Sequence, residues 1–290
     1  MLFNCETWHG VKDTDFTQIN IIDNQLLRYI CKSHAKTPTE FLFLKTGATP
    51  ILKIISIRRM NYLHEILNRE ENELVRRVFS AQVENPSKGD FIQLVEEDFK
   101  MIGEEINFES ICQMTKIQFK KHIKEKVKLV TFNDLQDIQK GHSKVRDIQY
   151  SKLDIQEYLQ SPKFSDAEKE LLFALRSHTK RGIKSNFPSF YAGNLICPLN
   201  CHETKPEDCQ NHILNCNKIL AHLSMTDNEI VQYSDIYGSL AQQKAAVRVF
   251  SRALDIREEL LKKDSQSAIP TSGASLDTAS RACQGSSGDL

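Results

Sequence analysis

Cys197-Pro-Leu-Asn-Cys201, followed by His212-Ile-Leu-Asn-Cys216, is the group of residues best suited to chemistry in this sequence. Zn²⁺ takes four thiolate or imidazole ligands in a tetrahedron, typically from one close Cys pair and a second Cys/His pair. Here three, ten and three residues separate the four positions in turn. That spacing fits a pair carried on a turn and a pair carried on a helix, where His212 and Cys216 would stand one turn apart on one face. Cys209, His202 and Asp208 lie between the pairs as spare donors. The alternative is a cluster of thiols without an ion. With all four ligands supplied by protein the site is closed, so Zn²⁺ there would be a structural cofactor rather than a catalytic one. The Cys/His set offers no nucleophile and base oriented by a third group. No Gly-rich phosphate loop, GxSxG or HExxH occurs.

A second chemistry is suggested by cations. Lys116, Lys120, Lys124 and Lys128 repeat every fourth residue, with Lys121 and His122 beside them. On a helix this stacks like charges one turn apart, a mildly unfavourable arrangement that phosphate would relieve; a solvated helix face is the plainer meaning. Arg176, His178, Lys180, Arg181 and Lys184 form another cluster, ending thirteen residues before Cys197. Basic segments beside a small zinc module commonly grip phosphates. Lys120, Lys124, Lys128, Arg176, Lys180, Arg181 and Lys184 are therefore the candidate contacts to RNA or single-stranded DNA. Phe187, Phe190 and Tyr191 either stack on bases or pack the metal module, and packing is the expectation. Charge is segregated although 38 Lys+Arg balance 38 Asp+Glu. Residues 60–109 carry 12 acidic and 5 basic side chains, whereas 110–190 carry 9 and 16.

The elements that must position these groups read as helices. Thr37-Pro38-Thr39-Glu40 and Thr49-Pro50 place Pro at the first helical position behind a Thr cap. Ile51, Ile54, Ile55, Tyr62, Leu63, Ile66 and Leu67 then keep helical spacing over 50–68. Thr115-x-x-Gln118, Ser165-x-x-Glu168 and Thr226-x-x-Glu229 are capping boxes. Ile19, Ile22, Leu26 and Ile30 form a further apolar stripe. Alternating strand-like runs are scarce, so the fold is expected to be mainly α. The expected organisation is a helical region over 1–110, a basic helical linker over 111–185 and a zinc knuckle over 186–220. C-terminal helices over 221–263 and a disordered Ser/Gly-rich tail over 264–290 complete it. No apolar run approaches the ~18 residues of a membrane span, so no membrane association is expected. The start of the chain has no signal-peptide pattern. These features predict an intracellular protein whose eight cysteines are thiols or ligands rather than disulfides. Leu240, Val247, Phe250, Leu254 and Leu261 approach heptad spacing, so the segments 16–34, 50–68 and 239–262 are candidates for docking a helical protein partner.

Taken in order, several pieces resemble the carboxy-terminal portion of reverse transcriptases from non-LTR (LINE-type) retrotransposons. They are Asn4-Cys5-Glu6-Thr7-Trp8, Lys36-Thr37-Pro38-Thr39-Glu40, Thr49-Pro50-Ile51 and Arg58-Arg59-Met60-Asn61-Tyr62-Leu63. Leu175-Arg176-Ser177, Lys184-Ser185-Asn186-Phe187, Cys197-Pro198-Leu199, Cys201, Asp208, His212-Ile213-Leu214 and Cys216 follow. The likeness spans roughly 3–262. It implies a helical thumb, a linker and a zinc knuckle that helps hold RNA or DNA, and a nuclear location fits such an element. The family's palm, with its metal-binding Asp pair, would lie upstream of Glu6, so this chain is expected to be non-catalytic. Tyr233-Ser234-Asp235-Ile236 lacks the second Asp of a polymerase Tyr-x-Asp-Asp turn and reads as ordinary helix. The family's first pair is usually Cys-Pro-x-Cys; one extra residue separates Cys197 from Cys201 here. The alternatives are a piece of a complete polymerase, or a helical protein-interaction module.

Overall fold

The structure is a computed structural model that describes Cys5 and residues 13–142, 145, 148–202, 204–223 and 231–267. The Thr226 capping box and the tail beyond 267, with Cys283, lie outside the described residues. Among those described there are twelve α-helices and no named strand. The fold is mainly α, as its sequence predicts. α1 (Asp13–Ile30) and α2 (Thr39–Thr46) lead into α3 (Ile51–Leu67), α4 (Leu74–Glu84), α5 (Phe91–Met101), α6 (Phe108–Gln113) and the long α7 (Lys116–Lys140). α8 (Glu157–Gln160), α9 (Asp166–Arg176), α10 (Gln210–Asn215), α11 (Asn217–Leu220) and α12 (Leu240–Ser267) follow.

Local chemistry explains most helix starts. Thr115 and Ser165 form capping boxes, each accepting from the backbone N–H three residues on while Gln118 or Glu168 reaches back. Pro38 and Pro50, expected inside the first turn, instead occupy the cap positions of α2 and α3. The fixed φ of proline and its missing N–H suit either place, because no helical N–H is lost there. Tyr233–Tyr237 is a 3₁₀ turn rather than part of a longer α-helix, and Gln232 and Asp235 cap it.

Two large cores organise the described residues. The first gathers Met60, Leu63, Phe79, Val95, Phe99, Ile111, Phe119, Ile123 and Val127 from α3 to α7. Inside it Arg59 makes a two-point ion pair with Asp98 at 2.7 and 2.9 Å. α7 buries Phe119, Ile123, Val127, Thr131 and Leu135, one residue per turn, so its basic first half packs on the preceding helices. The boundary expected at 110/111 runs through this core. The second core joins α8, α9, the segment around the cysteines and α12 through Tyr158, Leu172, Leu175, Leu199, Ile213, Ile219, Val247 and Phe250. The heptad-like residues of α12 are spent here: Val247 and Phe250 are buried, and Leu240, Leu254 and Leu261 pack against them. α12 also continues four residues beyond its expected end at 263. α2 forms two smaller clusters, with Phe41 and Leu42 against Phe173 of α9 and with Phe43 and Leu44 against Leu135 of α7. At its end Gly47 has φ +64°, and a Cβ there would lie 2.5 Å from the backbone of Asp154 and Ile155. Only glycine lets these segments touch. By contrast Ile22, Leu26 and Ile30, in the apolar stripe of α1, are exposed.

Candidate metal centre

The first limb of the site is a short antiparallel contact. Ile196 pairs with Glu207, and the Cys197 N–H donates to Pro206 O at 2.9 Å. Between them the chain reverses, with Asn200 N–H donating to Cys197 O at 3.2 Å and Asn200 at φ +47°. Asparagine enters this left-handed region more readily than most residues. That turn accommodates the extra residue in the Cys197–Cys201 spacing. The second limb is α10, which carries His212, with Cys216 just past its end. One helical turn sets both side chains on the same side.

The limbs bring the Sγ atoms of Cys197, Cys201 and Cys216 and a ring nitrogen of His212 together, all within 4.8 Å of one another. Cys201 Sγ lies 3.2 Å from His212 Nε2. With bonds of about 2.3 Å to sulfur and 2.0 Å to nitrogen, a tetrahedral zinc site has donor–donor edges of roughly 3.5–3.8 Å. The Cys201–His212 edge must open by a few tenths of an ångström and the wider edges close by up to about 1 Å to reach that geometry. Cys197 and Cys216 are buried, whereas Cys201 and His212 are half-buried. Burial raises the Cys197 thiol and pushes Cys201 up to about 12. An ion entering here would displace thiol protons, and binding would weaken with acidity. Burial lowers His212, keeping the imidazole neutral and able to donate its lone pair.

The spare donors have other tasks. Cys209 caps α10, its Sγ accepting from the His212 N–H at 3.4 Å. His202 is exposed and accepts from the Thr204 N–H. Asp208 is wholly buried, and its Oδ2 accepts from Arg257 Nη2 at 2.7 Å and from the Lys184 N–H at 2.9 Å. Arg257 also donates to Gly182 O at 2.6 Å. This group ties the metal segment, the basic loop and α12 together. Arg257 escaped the sequence reading, although its spacing from Phe250 and Ala253 places it on the core face of α12.

No family model, curated protein or solved structure matches this chain. Its chemistry therefore rests on its own residues. Lys180, Arg181 and Lys184 lie on the loop tied to the metal segment through Asp208. Arg181 is exposed, and Lys180 and Lys184 are half-buried. Phe187 is buried against His34 instead of the metal segment's interior, and Phe190 is 79% exposed. Lys120 and Lys124 are exposed on α7, and Lys128 is half-buried there. Their helix packs in the first core, whereas the cysteines pack in the second. Arg176 is the correction to the candidate nucleic-acid set. It is 4% exposed, donates through Nε to Ile236 O at 2.7 Å and faces the rings of Tyr158 and Tyr237. Buried in this way, its guanidinium is not part of the exposed basic surface along which a strand would lie. No described helix is long and apolar enough to cross a membrane.

Proposed function

We propose that this chain is a non-catalytic, zinc-bound helical module that holds RNA or single-stranded DNA, of the kind its resemblance to LINE-type reverse transcriptases implies. The convergence of Cys197, Cys201, His212 and Cys216 within one ion's reach carries the reading. Three thiols and an imidazole are a soft, nitrogen–sulfur donor set that favours Zn²⁺ over oxygen-seeking cations. Their four positions close the coordination shell, so the ion's task is to fasten the loop, not to activate water. The fastening extends through Asp208 to Lys184, on the loop that carries Lys180 and Arg181, and Phe190, six residues further on, is exposed. Cations that meet phosphates next to an aromatic face that meets bases make a sequence-tolerant grip on single strands.

The sequence contains no adjacent Asp pair to hold two catalytic metal ions. Primer extension on an RNA template with Mg²⁺ is expected to stay at background for this chain alone. Zinc-loaded protein should bind an unstructured RNA with affinity falling by about 0.7 log units per log unit of salt for each phosphate contact. Lys180→Glu/Arg181→Glu should flatten that slope. An unchanged slope would mean that the loop is only a solvated surface, and RNA extension above background would overturn the non-catalytic assignment.

A further inference from the structure

Where α2, α8, α9 and the Tyr233–Tyr237 turn meet, two cations are buried side by side. Lys45 is 1% exposed and Arg176 is 4% exposed. Lys45 Nζ lies 5.5 Å from the centre of the Tyr158 ring, and the Arg176 guanidinium carbon lies 4.7 Å from it. Among the described residues no carboxylate forms an ion pair with either. Arg176 Nε donates to Ile236 O, and Lys45 faces the rings of Phe41, Tyr150 and Tyr158. Ring faces offset only part of the cost of burying an ammonium, and the neighbouring guanidinium adds repulsion.

Both cations line a cavity of about 610 Å³. Tyr158, Tyr233, Tyr237 and His178 form its aromatic wall, and Gln149 and Glu157 stand exposed at its rim. The Tyr158 hydroxyl is buried and its proton has no acceptor. The volume lies within the range of small-molecule sites. We infer that this cavity binds a small phosphate-bearing anion, with its phosphate between Lys45, Arg176 and the Tyr158 hydroxyl and the remainder against the tyrosine wall. A dianion supplies the missing countercharge for both cations and an acceptor for the hydroxyl. Burial, with Arg176 second, holds the Lys45 ammonium well below its ordinary range, and an anion would restore it. Glu157, the one carboxylate on the described wall, sits at the exposed rim, where it disfavours ligands that carry a second negative charge away from the phosphate. This site is separate from the metal centre and from the Lys180–Lys184 loop, and it takes a single anionic group instead of a chain of them.

Calorimetry of the full chain at constant ionic strength tests the site, with inorganic phosphate and a nucleoside 5′-monophosphate as probes and acetate as the control. Wild-type protein should bind one phosphate or one monophosphate, the monophosphate more tightly, and Lys45→Met should weaken both at least tenfold. Tyr158→Phe removes one oxygen and keeps the ring; it should weaken both several-fold with the fold unchanged, and it decides the matter if Lys45→Met does not fold. In a Lys180→Glu/Arg181→Glu background, a preference for a 5′-phosphorylated oligonucleotide over the same strand with a 5′-hydroxyl would assign the site to strand ends. Equal binding of the two strands, with the monophosphate still bound, would assign it to free phosphomonoesters. Absence of saturable phosphate binding by the wild type, or unchanged binding in both variants, would overturn the proposal.

Discussion

The Asp208–Arg257 pair offers the sharpest test of how the metal segment is held. Asp208 has no exposure, and Arg257 is 6% exposed. Burial raises the Asp208 carboxyl even though Arg257 and the Lys184 N–H pull it back. Desolvation of this carboxyl therefore outweighs the attraction, and the pair adds little net stability while intact. Breaking it is different. Asp208→Asn keeps the volume but leaves the Arg257 charge buried without its partner, a situation that costs about 3–5 kcal/mol. Arg257→Met should cost a similar amount, because it strands the Asp208 carboxylate and frees Gly182 O. In the double variant neither charge remains. Its cost should fall to roughly that of the lost hydrogen bonds, about 1 kcal/mol each. The coupling from the double-mutant cycle is then at least about 2 kcal/mol. Urea unfolding of zinc-saturated protein, followed by circular dichroism, measures all four corners of the cycle. Additivity of the two changes to within about 0.5 kcal/mol would refute the claim that these charges act as one buried unit.

Chelation of the metal should increase hydrogen exchange across α9, α10 and α12 together while α3 and α5 stay protected, since the cysteines share a core with the first group only. Exchange confined to 186–220 would contradict this. Cys216→Ser should abolish stoichiometric zinc, whereas Cys209→Ser should retain it and lose only a weak cap, as metal analysis of the two proteins would show. Gly47→Ala should destabilise by more than the ~1 kcal/mol typical of an unfavourable φ, because its Cβ would also meet the Asp154 backbone; a neutral result in thermal melts would disprove the close approach. Burial alone would raise Glu168, but Lys244 and the Ser165 cap together bring it below its ordinary value. Its contribution is thus present above that value and lost as pH falls through the depressed one, and Glu168→Gln should flatten the acid limb of the stability curve.

The clustering of Cys197, Cys201, His212 and Cys216 was legible because one short segment contains them, and the turn and the helix fix where each donor points. The caps at Thr115 and Ser165 were legible for the same reason, since each bond spans three residues. The metal module's dependence on the rest of the fold was not. Its core partners lie on α9 and α12, and the Asp208–Arg257 bond joins residues 49 apart. Arg176 shows the limit most plainly: charge pattern assigned it to a surface, but its acceptor is the carbonyl of Ile236, 60 residues later. The Ile22, Leu26 and Ile30 stripe has the periodicity of a packed face, and only the fold shows that it is left exposed. Short spacings are set by backbone geometry, which sequence carries directly. Which helix faces meet is decided by the packing of all the helices at once, and only there does a cation become a buried group in search of an anion.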